Sequence, residues 1–213
     1  MRTAVRIRGL YAVTPDTHDT AELTAKVEAA FLGGAAFLQY RNKSADPNLR
    51  VRQARALQAL CRKYDVPLII NDHLELVAAV NAAGLHLGKD DASLSDARAS
   101  LPPGKLLGAS CYNRLEDAVA AVRAGVDYVA FGSFFPSAVK PEAVQASPAL
   151  LREAKRRLEV PIVAIGGITQ DNAAQLIAAG ADAVAVVSAL FGARDVRVAA
   201  QQFERLFTSA PEK

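Results

Sequence analysis

Four times along the chain an alanine-rich segment runs into glycine, and a short apolar run begins within about two residues: FLGGAAFLQYR, NAAGLHLGK, VRAGVDYVAFG and IAAGADAVAVVS. Each phrase has the form of a helix that stops at a glycine, where the missing side chain permits the left-handed conformation, followed by a strand. The connection is too short for anything but a tight turn. Gly33 or Gly34, Gly84, Gly125 and Gly180 are the expected stopping residues. A chain that repeats this return needs parallel strands with helices between them.

Four further apolar runs fill the gaps, GLYAVT near residue 10, PLIIND near 68, KLLGASC near 106 and PIVAIGG near 162, which brings the strand count to eight. Most are apolar at nearly every position, as strands are when helices cover both faces of the sheet. Amphipathic helices are expected at about 21–32, 48–64, 74–83, 115–124, 148–158, 171–179 and 196–207, with a weaker one near 94–100. Eight alternations in 213 residues, with no break in composition, predict an α/β fold in which residues 1–213 form a single (β/α)₈ TIM barrel. An open doubly wound sheet is the runner-up, and it lacks a glycine-rich dinucleotide fingerprint.

The charge balance narrows the partners. The 25 basic and 22 acidic residues leave a net charge of +3 spread along the chain, which provides no basic block for nucleic acid and suits anionic small molecules better. Cys61 and Cys111 read as free thiols in a reducing compartment. No apolar window reaches the length of a membrane span and no signal-peptide segment opens the sequence, so the expected setting is the cytoplasm, as a monomer or small homo-oligomer.

In a barrel of this type the chemistry gathers where the strands end, so those positions carry the functional reading. After the second strand, Gln39, Arg41 and Lys43 put an amide and two cations at the mouth, where the guanidinium fork suits phosphate, although a solvated basic loop has the same composition. Asn71 and Asp72 follow the third strand, and Asp90 and Asp91 the fourth. Asp72 and Asp91 are the natural pair for Mg²⁺, which takes one or two carboxylates and completes its shell with water and substrate oxygens. The competing reading is that Asp72 caps the next helix and Asp91 sits in an exposed turn. Ser110 ends the fifth strand with no histidine and acid pattern around it to make a nucleophile. Cys111 alternates away from it as a buried thiol, and Lys140 adds a cation after the sixth strand. Gly166 and Gly167 after the seventh strand, with Val187 and Ser188 after the eighth, fit a phosphate held by main-chain N–H groups.

In order, the segments QYRNK, IIND, HLGKDD, GASCYN, FGSFFPSAVK, PIVAIGGI and VAVVSA resemble the thiamine phosphate synthase family over nearly the whole chain. The resemblance implies a transferase of thiamine biosynthesis that joins a pyrimidine pyrophosphate to a thiazole phosphate with the aid of Mg²⁺. It implies that the run Gln39, Tyr40, Arg41, Asn42 and Lys43, with Asn71, Ser110 and Lys140, binds the pyrimidine pyrophosphate, and that Asp72 and Asp91 hold the metal. It further implies that Ser137, Ala138 and Val139, with Gly167, Val187 and Ser188, meet the thiazole phosphate. Arg41, Lys43, Ser110 and Lys140 are then the catalytic group. Two positions depart from the family pattern: Lys89 stands where glutamine is common, and Val139 where a second threonine is expected. The competing functions are a thiazole tautomerase-like isomerase, which is expected to lack the second metal acid and to carry a histidine shortly after the serine, and a non-catalytic phosphate-binding regulator.

Lys140 provides a test of the resemblance. If it meets a pyrophosphate that leaves as an anion, Lys140→Ala lowers kcat about 10²–10³-fold and raises KM less, as loss of one preorganised donor does. Lys140→Arg recovers part of the rate, because a planar fork does not reproduce a compact charge. If Lys140 is a solvated loop cation, steady-state kinetics of both variants will match wild type.

Overall fold

Each apolar run becomes a strand and each alanine-rich or amphipathic stretch a helix in a computed structural model that describes residues 7–89, 91–136 and 144–208. The order is β1 (Gly9–Val13), α1 (Thr20–Leu32), β2 (Phe37–Tyr40), α2 (Pro47–Tyr64), β3 (Leu68–Asn71), α3 (Leu74–Val80), β4 (Gly84–Leu87) and α4 (Leu94–Ser100). It continues with β5 (Leu106–Tyr112), α5 (Leu115–Arg123), β6 (Tyr128–Phe131), α6 (Pro148–Arg157), β7 (Ile162–Ile165), α7 (Gln170–Ala178) and β8 (Ala183–Val186). The last helices are α8 (Ser188–Phe191) and α9 (Val196–Thr208). Every strand pairs in parallel with the next, and β8 returns to β1 through the register Gly9↔Ala183 to Ala12↔Val186, which closes the barrel. The expected helices are all present, and among the described residues only α8, too short to show a period, adds to them.

The helix starts have local causes. The Asp19 carboxylate accepts from the Glu22 N–H, and the Asp46 carboxylate from the Leu49 N–H with Pro47 in the first turn, so orphan donors at the starts of α1 and α2 are satisfied. The stops follow the sequence reading in three of four phrases: Gly34, Gly125 and Gly180 take φ of 97°, 88° and 115°. The fourth differs. Helix α3 ends at Asn81 in the left-handed conformation, φ 52°, and Gly84 is already the first residue of β4. Asparagine tolerates this conformation, which frees Gly84 for another use. A side chain on Gly84 would collide with the Leu106 carbonyl, so glycine lets β4 and β5 approach here.

Two of the tight turns carry the same brace. Just before β6, the Asp127 carboxylate accepts the Leu107 N–H at 2.7 Å and an Arg98 N–H at 3.1 Å. Just before β8, the Asp182 carboxylate accepts the Ile162 N–H at 2.8 Å and is paired with Lys155 at 2.7 Å. Both lie where strands begin, at the end of the barrel away from the mouth. The core is in two parts. An outer shell packs the strands against the helices, and an inner plug that includes Tyr11, Phe37, Ile69, Tyr128 and Val163 fills the barrel itself. Among the described residues no helix is long and apolar enough to cross a membrane.

Gly108 on β5 makes room for the plug, because a Cβ there would overlap the Tyr128 ring. Gly108→Ala should therefore destabilise the barrel by about 1–3 kcal/mol, the usual cost of overpacking. For a chain of this length the melting temperature falls by about 2–4 °C per kcal/mol. A melting curve by circular dichroism that matches wild type would show that the ring moves freely.

Candidate active site

Strand alternation decides which predicted residues reach the mouth. A cavity of about 380 Å³ opens at the C-terminal ends of the strands, and Gln39 and Arg41 face into it while Tyr40 and Asn42 do not. Tyr40 donates to Gln53 Oε1 on α2 at 2.8 Å, and the Asn42 amide nitrogen donates to the same oxygen at 2.9 Å and to the Thr17 carbonyl at 2.6 Å. Their side chains tie the loop after β2 to α2. Arg41 is fixed twice from the loop after β1. Thr14 Oγ1 donates to the Arg41 carbonyl at 2.8 Å and accepts its N–H at 2.9 Å, and Asp16 Oδ1 meets Arg41 Nη1 at 3.0 Å. The same Asp16 oxygen accepts the Lys43 N–H at 2.9 Å. Thr14 and Asp16 were not singled out in the sequence, because their partners are more than twenty residues away.

The acid pair forms. Asp72 stands at φ 64°, a backbone state that carbon-substituted residues adopt at a cost, and its carboxyl is within hydrogen-bonding reach of Asp91. Burial, and then the hydrogen bond and charge of Asp91, hold the Asp72 carboxyl above its ordinary range. Lys43 Nζ lies 3.7 Å from Asp72 Oδ2 and offsets part of that repulsion. The capping reading of Asp72 is not met: His73 is the cap position of α3, and no side chain bonds there. Asp91 does brace its own turn, where Oδ2 accepts the Gly88 N–H at 2.6 Å. Two neighbouring carboxyl groups that repel one another suit a divalent cation. Among the described residues no third acid, histidine or cysteine joins them. A metal there would draw its other ligands from water and substrate oxygens, as Mg²⁺ usually does.

In the closed strand order β3 lies across from β7 and β4 across from β8. Gln39, Arg41 and Asn71 line the near side of the cavity and the loops after β7 and β8 its far side, while Lys43 and Asp72 line a small adjoining recess that shares Asn71. On that far wall the N–H groups of Gly167, Val187 and Ser188 make no backbone hydrogen bond among the described residues, and all three residues line the cavity. Open N–H groups on one concave surface suit an anion. The glycines also have a packing cause. A Cβ on Gly166 would strike Ser133, and one on Gly167 the Phe135 and Pro136 carbonyls, with φ of 100° and 61°. Glycine is needed there for the loops after β6 and β7 to pack on each other. Ser137, Ala138 and Val139, expected with the thiazole phosphate, and Lys140, expected with the pyrophosphate, lie outside the described residues, as does Asp90.

Beneath the two walls the floor is polar and uncharged. A histidine does reach Ser110: His86 Nε2 is 2.9 Å from Ser110 Oγ, and His86 Nδ1 is 3.0 Å from Tyr128 Oη. The sequence hid this because residues 86 and 110 are far apart in the chain but lie on neighbouring strands. A tyrosine stands where a triad would have an acid, and burial pushes His86 down to about 4. So weak a base does not activate the serine, and the exclusion of a serine nucleophile holds on these grounds. Asn71 lines the cavity beside Arg41. Tyr112 is turned into the mouth by an irregularity in β5 between Ser110 and Tyr112, where Tyr112 takes φ 50°.

Arg41 and an open row of N–H groups thus line one cavity over a neutral floor, with Lys43 and Asp72 in the adjoining recess. Sequence and structure comparisons place the chain. The family model described as thiamine monophosphate synthase matches residues 10–190. The chain belongs to the thiamine monophosphate synthase family. A thiamine-phosphate synthase of Thiobacillus denitrificans is 57% identical over 96% of this chain and 97% of its own length. One of Nitrosospira multiformis is 55% identical over 94% and 86%. Among solved structures, the thiamine phosphate pyrophosphorylase of Pyrococcus furiosus superposes with a TM-score of 0.88 at 32% identity, covering 97% of this chain and 98% of the other.

Neither cysteine serves the site of this family member. Cys61 and Cys111 are buried and free, and burial raises both thiols to about 12. Iodoacetamide at pH 8 should leave both unmodified in the native protein and label both after unfolding, because the thiolate is the reacting form. Rapid labelling of Cys111 with loss of activity would place that sulfur at the cavity.

Proposed function

We propose that the protein is a thiamine-phosphate synthase that joins an aminopyrimidine, carried on a methylene pyrophosphate, to a thiazole phosphate, releasing thiamine phosphate and pyrophosphate. One observation supports this most: a single cavity is lined by the Arg41 cation and by the open N–H groups of Gly167, Val187 and Ser188, with Tyr11, His86 and Ser110 as an uncharged floor. Two phosphorylated substrates joined through neutral rings fit such a space. The names and high identity of the relatives support the same reading.

Arg41 and Lys43 would hold the pyrophosphate at the β2 side, where Asp16 and Thr14 fix the loop, and the resemblance adds Lys140 from the β6 side. Asp72 and Asp91 would hold Mg²⁺, which when bound supplies positive charge to the leaving oxygens. The carbon–oxygen bond breaks with its electron pair going to pyrophosphate, and the aminopyrimidine ring spreads the positive charge left on the methylene carbon. The N–H groups of Gly167, Val187 and Ser188 would hold the thiazole phosphate so that the ring nitrogen faces that carbon, and its lone pair forms the new carbon–nitrogen bond. No side chain needs to become covalently bound. Catalysis would rest on positioning and on charges fixed before the reaction. The cytoplasm is the proposed location, where the thiols of Cys61 and Cys111 stay reduced.

The test is incubation with both phosphorylated substrates and Mg²⁺, followed by chromatographic detection of thiamine phosphate. Asp72→Asn should lose at least about 10²-fold in metal-dependent kcat while remaining folded, since residues at strand ends contribute little to the core. Full turnover in excess chelator would remove the metal from the mechanism, and absence of product from wild type would reject the assignment.

A further inference from the structure

The bonds at His86 belong to a longer line. The Gln39 amide nitrogen donates to Tyr11 Oη at 3.2 Å, Tyr11 Oη is 2.8 Å from Tyr128 Oη, and the line runs on through His86 to Ser110. Tyr11 and Tyr128 are 1% and 0% exposed, so neither hydroxyl has water to turn to. Each buried hydroxyl has a single hydrogen that needs an acceptor, and a donating neighbour cannot be that acceptor, so each hydrogen has to go to the next group along the line. With Gln39 donating to Tyr11, Tyr11 donates to Tyr128 and Tyr128 donates to His86 Nδ1. The hydrogen of the neutral imidazole then sits on Nε2 and is donated to Ser110 Oγ. Ser110 has accepted, its own hydrogen is free, and its side chain lines the cavity.

We propose that Tyr11, Tyr128 and His86 are positioning residues acting through Ser110, their ordered hydrogens turning the serine O–H into the cavity to donate to an oxygen of the departing pyrophosphate. The inference rests on the transferase reading for the identity of the acceptor, and on the hydrogen-bond line alone for the order. A serine on the surface of a cavity rotates freely and loses part of its value as a donor. One whose acceptor side is taken by a buried imidazole is aimed before substrate arrives. The two tyrosines contribute direction without charge, which leaves the floor neutral beneath a carbon that becomes cationic.

Two readouts test this. The protein has 3 histidines, so the ¹⁵N signals of His86 can be assigned by substitution. Wild type should show the tautomer with hydrogen on Nε2, and Tyr128→Phe, which keeps the ring but removes the donor to Nδ1, should shift His86 toward a mixture. In steady-state kinetics Tyr128→Phe should lower kcat about 10-fold with both KM values within about 2-fold, as expected for a bond felt in the transition state. Ser110→Ala should lower kcat about 10²-fold. The double variant should be no slower than Ser110→Ala, because the tyrosine acts only through the serine. Hydrogen on Nδ1 in wild type, a tautomer unmoved by Tyr128→Phe, or kinetic effects that multiply would overturn the inference. Should Tyr128→Phe fail to fold, Tyr11→Phe interrupts the same line one bond further out and is read the same way. If wild type makes no thiamine phosphate, the transferase reading fails by itself and the tautomer measurement still decides the order.

Discussion

Eight parallel strands closed into a ring enclose a space that side chains have to fill, and in this chain two tyrosines reaching in from β1 and β6 supply much of the filling. That choice constrains what surrounds it. A buried hydroxyl without a partner costs about 1–3 kcal/mol, so Tyr11 and Tyr128 need polar neighbours inside the barrel. They find one another, Gln39 and His86. The ring of Tyr128 in turn needs Gly108 opposite it on β5. The plug that holds the barrel open is thereby also the floor of the cavity, and its polar edge is what a bound molecule meets.

The division of the mouth into two walls follows from closure in the same way. Strands four apart in the order lie opposite one another, so the loops after β7 and β8 lie opposite the ends of β3 and β4. In the proposed mechanism charged side chains serve one side and main-chain dipoles the other. A row of N–H groups binds an anion without placing a full positive charge near the reacting carbon. Had cations lined both walls, they would have opposed the positive charge that forms between them.

The fold was legible because it rests on local patterns: apolar runs of strand length, alanine-rich helices and tight turns, all readable from adjacent residues. The one stopping residue that differed, Asn81 in place of Gly84, involves two residue types that both tolerate the left-handed state. Within the site, Arg41, Asp72, Ser110 and the open N–H groups stand where strand-end counting put them. Tyr40 and Asn42 entered with their neighbours through the resemblance of a continuous segment, whereas alternation turns every second side chain toward α2. His86, Tyr11, Tyr128, Thr14 and Asp16 were not legible at all, since each gains its meaning from a partner on another strand or loop.

The paired braces at the opposite end of the barrel give the molecule a second character. Asp127 and Asp182 each lock the beginning of one strand to the strand before it and to a helix behind, with Arg98 or Lys155 completing the clasp. These contacts share no residue with the cavity. Changes in one end therefore need not be matched by changes in the other, and a lineage with this scaffold can revise its ligands at the mouth while inheritance keeps the base intact. At these two strands the architecture separates what must be preserved for the chain to fold from what can vary for it to acquire new chemistry.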